Sequence, residues 1–215
     1  MTNDTAPMTQ ELRHRREPAQ ERSRKTVARI LDAAAALIDE VGVEAATTRA
    51  IADRAGVAYP SLYRFFADRE EILDRLIERH IADIDAYLRS VEQTEPPTSI
   101  DDLVGRGFDL HVAYYEAHPD AQRLWFGGRA SPTVVREVHR YQRTVAERVH
   151  QLLIAFGAVP AQADPLNFEM LFVIGDSILE RAFRDSVNAN RRVIEIGRAT
   201  LISYINQALQ ELQPA

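Results

Sequence analysis

Apolar residues recur at helical spacing from Val27 onwards. Val27, Ile30, Leu31, Ala34, Leu37, Ile38 and Val41 share one face of a single amphipathic helix. Gly42 follows that stripe and suits a helix C-cap. The Thr47–Thr48 pair offers hydroxyls for an N-cap, so a short second helix is expected through Ile51 to Arg54. Ala55-Gly56-Val57 predicts a tight turn. A third short helix opens at Tyr59-Pro60 and ends around Phe66, proline being tolerated in a first turn whose amides have no helical partner. Asp68-Arg69-Glu70-Glu71 has capping-box spacing and opens a long fourth helix, with Ile72, Leu76, His80, Ile81, Ile84, Leu88 and Val91 on one side.

The helical period continues beyond Pro96-Pro97. A fifth helix is expected over 99–117 along Val104, Phe108, His111 and Tyr115, and a short sixth over 119–126, closed by Gly127-Gly128. The seventh covers 132–156 with Val134, Val138, Tyr141, Val145, Val149, Leu152 and Phe156 in line. The eighth (165–186) and ninth (190–212) are apolar over most of their circumference, which predicts burial on several sides. No stretch combines strand alternation with turn punctuation, and no internal repeat is visible. The pattern predicts an all-α protein of about nine helices. Residues 1–20, polar, aperiodic and holding Pro7 and Pro18, read as a disordered basic arm; 21–67 form a three-helix domain and 68–215 a larger helical one.

Composition narrows the function classes. The chain has 215 residues and no cysteine, which excludes disulfide scaffolds, thiolate catalysis and cysteine-based zinc sites. The longest apolar run, Leu152 to Val159, falls far short of the roughly 20 residues that span a bilayer. Asp4, Glu11 and Arg13 interrupt the start, so no secretory signal is read and a cytoplasmic location is expected. Charge is uneven: residues 1–66 carry 10 Lys/Arg against 9 Asp/Glu, the remainder 16 against 23. Seven of the basic residues lie between Arg13 and Arg29. A basic leading end on an acidic body suits a segment that meets a polyanion, and equally suits a solvated tail.

The string TTRAIADRAGVAYPSLYRFF reads as a helix-turn-helix. Its second helix must be slim enough for a major groove roughly 12 Å wide, with polar side chains toward base edges. Ala55, Val57, Leu62 and Phe65 or Phe66 can anchor it, leaving Tyr59, Ser61, Tyr63 and Arg64 to face outward. Gly42, Thr48, Ile51-Ala52, Ala55-Gly56-Val57, Leu62-Tyr63, Phe66 and Arg69-Glu70 occur in order, and over about 50 residues this region resembles the DNA-binding domain of TetR-family transcriptional regulators. The overall length and the order of the two domains are similar to that family as well. Two positions depart from its pattern: Ala58 stands where a capping serine is usual, and Pro60 where glycine is. Losing the serine cap costs about 1 kcal/mol, which Pro60 partly offsets by fixing φ.

The resemblance implies roles by position. Thr47 or Thr48 with Arg49 would touch phosphate at the start of the second helix. Tyr59, Ser61 and Tyr63 would approach bases or the adjoining backbone, and Arg64 a guanine edge or phosphate. Arg69, at the family's lysine position, would hold phosphate, with Arg24 and Lys25 adding backbone or minor-groove contacts. The last two helices would form a homodimer interface, placing two recognition helices on a pseudo-palindromic double-stranded DNA operator. The larger domain would be a ligand-binding and dimerisation domain, and the protein a repressor that releases its operator when a small molecule binds.

Candidate ligand contacts are the polar or aromatic residues on inward stripes: His80, Tyr87, His111, Tyr115, Trp125, Phe126, Tyr141, Phe172 and Asp176. Their rings favour an aromatic or lipophilic effector. Asp176 stands mid-helix among apolar neighbours, where an unpaired carboxylate is costly. It must meet a partner such as an arginine, bind a cationic or hydroxyl-bearing ligand, or face water, and Glu180 and Arg184 at i+4 steps fit a solvated face equally well. The six histidines show neither HExxH nor paired Glu-x-x-His motifs, so neither an enzyme nor a metal or other cofactor is expected. The remaining alternative is a helical small-molecule-binding module without specific DNA recognition.

Overall fold

The computed structural model describes residues 8–94, 97–127, 131–155, 157, 159, 160 and 163–210. Among these residues every regular element is a helix and there is no strand. The helices are α1 (Met8–Val41), α2 (Thr48–Ala55), α3 (Tyr59–Leu62), α4 (Arg69–Thr94), α5 (Ile100–Ala117), α6 (Pro119–Phe126), α7 (Pro132–Ala155), α8 (Leu166–Phe183) and α9 (Arg191–Gln210), with a 3₁₀ turn at Val43–Ala45. The chain divides into two compact units, Met1–Ile72 and Leu73–Ala215. The boundary falls within α4 rather than ahead of it. No helix among the described residues is long and apolar enough to cross a membrane.

In the first unit, Ile30, Ala34 and Ile38 bury one stripe of α1 completely. Ile51 and Ala52 of α2 and Leu62 of α3 are equally buried, each large apolar side chain contributing about 1.5–3 kcal/mol. Thr47 caps α2, its hydroxyl accepting from the Ala50 amide at 3.2 Å. Gly56 ends the helix at φ 63°, a left-handed conformation that a side chain would strain. Asp68 caps α4 by accepting from the Glu71 amide at 2.8 Å, while the Glu71 carboxylate accepts from the Ala67 amide at 2.6 Å. The spacing is that of the capping box expected from the sequence, with Glu71 reaching back one residue beyond the cap, to Ala67.

The structure departs from sequence expectation in two places here. α1 begins at Met8, so residues 8–20 belong to the first helix and not to a disordered arm. Runs such as Gln-Glu-Leu-Arg carry helix propensity without amphipathic period, and a search for periodicity passes them over. α3 is a single turn and does not reach Phe66 as a regular helix. The Arg64 and Phe65 amides turn instead to the carbonyls of Ser61 and Leu62, tighter i→i−3 bonds. Residues 1–7, Pro96, Gly128, Phe156 and residues 211–212 lie outside the described residues, as do the side chains of Val91, Val134 and Leu152.

In the second unit, Phe108 and Val112 of α5 pack with Leu179 and Phe183 of α8 and Ile194 and Leu201 of α9. A second cluster joins Ala146 and Leu153 of α7 to Phe168 of α8 and Ile205 and Leu209 of α9. α8 and α9 approach so closely at Gly197 that a Cβ there would lie 2.3 Å from Ile178 Cγ2. Full burial of α8 does not occur within one chain: Leu166 and Val173 are 53% and 54% exposed, and Ile196 of α9 is 53% exposed. An apolar circumference thus meets the chain's own core on only part of its width.

Candidate functional site

The first site is built on α2 and α3. Burial of Leu62 and, past the end of α3, of Phe66 fixes which way the turn faces. Tyr59, Tyr63 and Arg64 consequently stand exposed, while Ser61 is half-buried. The Tyr59 and Tyr63 hydroxyls lie 2.8 Å apart, four residues apart in sequence, with rings edge-to-face at 5.3 Å. Hydrogen bonds from Tyr63 and from Thr48 of α2, with the Arg49 charge nearby, hold the Tyr59 phenol below the usual tyrosine range despite some desolvation. A row of hydroxyls therefore runs from the start of α2 to the end of α3. Arg49, Arg24 and Lys25 are exposed, Lys25 pairing with Glu21 at 2.7 Å. Ala58 precedes α3 without a side-chain cap, as its identity demands, and Pro60 occupies the first turn.

Arg69, expected at a phosphate, has protein partners in the structure. Its Nε donates to the Ala46 carbonyl at 3.0 Å, another guanidinium N–H donates to Val43, and the remaining amino group pairs with Glu70 at 3.2 Å. The guanidinium thus braces the connection between α1 and α2. Arg54 and Glu40 make a second brace, a two-pronged ion pair between α2 and the end of α1.

The second site lies within the larger unit. A cavity of about 130 Å³ is lined by apolar side chains including Leu88, Leu103, Val149 and Leu171. A smaller one of about 70 Å³ lies beside Ile84, Tyr115, Trp125 and Tyr141. His111, Phe172 and Asp176 line both, so the two are adjoining chambers. Asp176 therefore lines a pocket and does not continue the solvated stripe, where Glu180 and Arg184 pair with each other at 3.2 Å. Burial raises its carboxyl to about 6, against the 2.8 Å hydrogen bond from Gln142 and the charge of His139. His111 donates from Nδ1 to the Gly107 carbonyl at 2.7 Å, which leaves Nε2 as an acceptor. Burial lowers its pKa, outweighing that hydrogen bond, and keeps the ring neutral. Burial and the Asp176 charge push the Tyr115 phenol upward, so it stays protonated.

Other expected ligand contacts serve the protein itself. His80 lines the smaller chamber, but its ring nitrogens bond the Tyr114 hydroxyl and the Asp120 carboxylate, each at 2.8 Å. Burial opposes the ionised form of Asp120, yet the His80 contact holds its pKa below the usual carboxylate range. Tyr141 donates to Asp85 at 3.0 Å. Phe126 lines neither chamber; it packs against Tyr115 and Phe183 with centroids 4.9 and 6.2 Å apart. Tyr87 is exposed. Gln142, Tyr114 and Asp120 were not singled out in the sequence, and no periodic signal marks them.

Residues 30–76 match the family description "Bacterial regulatory proteins, tetR family", and residues 98–209 match "Tetracyclin repressor-like, C-terminal domain". The second match alone covers more than half of the chain. The chain belongs to the TetR family. It is accordingly a ligand-responsive, DNA-binding transcriptional regulator of the repressor type. Among similar proteins, the tetracycline repressor protein class A from transposon 1721 of Escherichia coli is 43% identical over 190 residues, covering 86% of this chain and 80% of that one. The transcriptional repressor KstR of Mycobacterium tuberculosis is 42% identical over 66 residues, 31% of this chain and 30% of its own. A TetR-family regulator from Streptomyces coelicolor superposes with TM-score 0.62 at 28% identity, covering 86% of this chain and 99% of that one. TetR-family regulators bind operator DNA and small-molecule effectors and act as dimers.

Proposed function

We propose that this TetR-family protein works in the cytoplasm as a homodimeric repressor without catalytic activity, reading a pseudo-palindromic operator through α3. The observation that carries the reading is the hydroxyl row of half-buried Thr48 and exposed Tyr59 and Tyr63, flanked by Arg49 and Arg64, on a turn whose opposite side is sealed by Leu62. Such a row can donate to base edges and phosphates together, with its side chains already oriented. Thr47, Thr48 and Arg49 meet phosphate at the start of α2. Ser61 approaches the adjoining backbone, and Arg24 and Lys25 extend the basic surface. Arg69 serves by holding the connection ahead of α2 and not by touching phosphate. The half-exposed Leu166, Val173 and Ile196 favour α8 and α9 as the meeting face of two copies, since a soluble chain gains by covering such a patch. A small apolar effector occupying the chambers of the larger unit biases the protein toward a conformation that releases DNA.

The test is a gel shift with DNA from upstream of the protein's own gene, against an excess of unrelated competitor at fixed salt. Retarded bands that survive competitor, and lose affinity on Tyr63→Ala, support the reading. Equal binding to any DNA would reduce the protein to a helical ligand-binding module.

A further inference from the structure

We propose that the twin chambers of the larger unit take an apolar molecule bearing a protonated amine, seated with its ammonium group between Asp176 and His111. This rests on the reading of the chambers as the effector site and names the chemistry they select. His111, Phe172 and Asp176 line both chambers, so a ligand that spans them passes these three side chains. What His111 and Asp176 offer is acceptors. Asp176 Oδ2 takes a hydrogen bond from Gln142, and no protein donor among the described residues reaches its other oxygen. His111 donates its Nδ1–H to the Gly107 carbonyl, leaving the Nε2 lone pair. His80, Tyr114, Tyr141 and Gln142 of the smaller chamber are hydrogen-bonded to protein partners. No lysine or arginine lines either chamber among the described residues, so a carboxylate or phosphate ligand would find no counter-charge.

The count of acceptors favours an amine over an alcohol. A hydroxyl has one proton to give, whereas an ammonium has several and can serve Asp176 and His111 together. It also supplies the positive charge that the desolvated carboxylate lacks, and the smaller chamber is lined by Phe172, Tyr115 and Trp125, residue types that attract a cation. The remainder of the larger chamber is apolar and suits a hydrocarbon body.

The experiment titrates the full-length protein with n-hexylamine, 1-hexanol and hexanoate at pH 7.5, following the fluorescence of Trp125. It is the chain's single tryptophan and lines the smaller chamber. Hexylamine is expected to bind at least roughly tenfold tighter than either analogue, and Asp176→Asn to remove that preference while hexanol binding is retained. Retained hexanol binding also certifies that the variant is folded. Equal or tighter binding of hexanol or hexanoate, unchanged hexylamine binding by Asp176→Asn, or no response to any of the three would overturn the proposal. Operator release is read separately by gel shift. Hexylamine that binds with the expected preference yet leaves DNA bound would sink the regulatory role of the chambers and leave the amine site standing.

Discussion

The Arg69 guanidinium at the start of α4 donates from Nε to the carbonyl of Ala46, 23 residues earlier, at 3.0 Å, and reaches Val43 as well. Both acceptors precede Thr47, the cap of α2, so one side chain fixes where α2 begins. Arg69→Ala should destabilise the protein by about 1.5–3 kcal/mol, because charged donors are lost from part-buried carbonyls. Arg69→Lys should recover only part of this, since an ammonium lacks the guanidinium's fork. Urea unfolding of the three proteins checks it, and wild-type stability in Arg69→Ala would show the brace to be inert.

The Tyr59–Tyr63 hydroxyl pair separates shape from hydrogen bonding. Tyr63→Phe keeps the ring and removes the hydroxyl, and should weaken operator binding by about 1 kcal/mol, roughly fivefold. The melting temperature should stay close to wild type, because Tyr63 is 45% exposed. Fluorescence anisotropy on labelled operator at fixed salt measures the first, and a thermal melt the second.

Asp176 gives a stability profile of unusual sign for a carboxyl. The folded protein keeps its proton up to about pH 6, whereas the free group releases it near 3.8. Between those values the folded state binds more proton than the unfolded chain, so stability falls as pH rises through that window and stays lowered above it. Asp176→Asn should accordingly stabilise the protein at pH 7 by on the order of 1–3 kcal/mol and have little effect at pH 4. Chemical denaturation at both pH values decides.

At the α8–α9 crossing, Gly197→Ala would drive a Cβ to 2.3 Å from Ile178 Cγ2. The substitution should cost about 1–3 kcal/mol, and Ile178→Ala in the same chain should recover part of that by making room. Additive losses in the double variant would mean that the two residues do not meet as described.

Charges placed on the exposed apolar residues of α8 and α9 test the assembly. Val173→Glu with Ile196→Glu should halve the mass seen by light scattering while helical content is kept, because both positions are more than half exposed within one chain. A mass unaffected by both charges would move the dimer contact elsewhere.

The helices were largely legible in the sequence because their signals are local. Ile30, Ala34 and Ile38 announce a buried stripe by spacing alone, and Thr47, Asp68 and Glu71 cap the helices that their side-chain chemistry favours. What escaped depends on partners far apart in sequence. Arg69 looked like a free cation because backbone carbonyls, its partners, carry no sequence signature. Asp176 could have faced solvent or a pocket until Gln142, 34 residues earlier, was brought against it. His80 looked like a ligand contact, yet its nitrogens were already claimed by Tyr114 and Asp120. Spacing alone does not say what covers the apolar circumference of α8, because hydrophobicity states only that a surface avoids water, not whose atoms cover it.

The His80 ring has a mechanical consequence. By clasping Tyr114 of α5 and Asp120 of α6 from its own place on α4, it rivets three helices into one stiff panel along the smaller chamber. An occupant wedged against that panel cannot bend one helix alone. Pressure on that panel would meet parts of α4, α5 and α6 as one body.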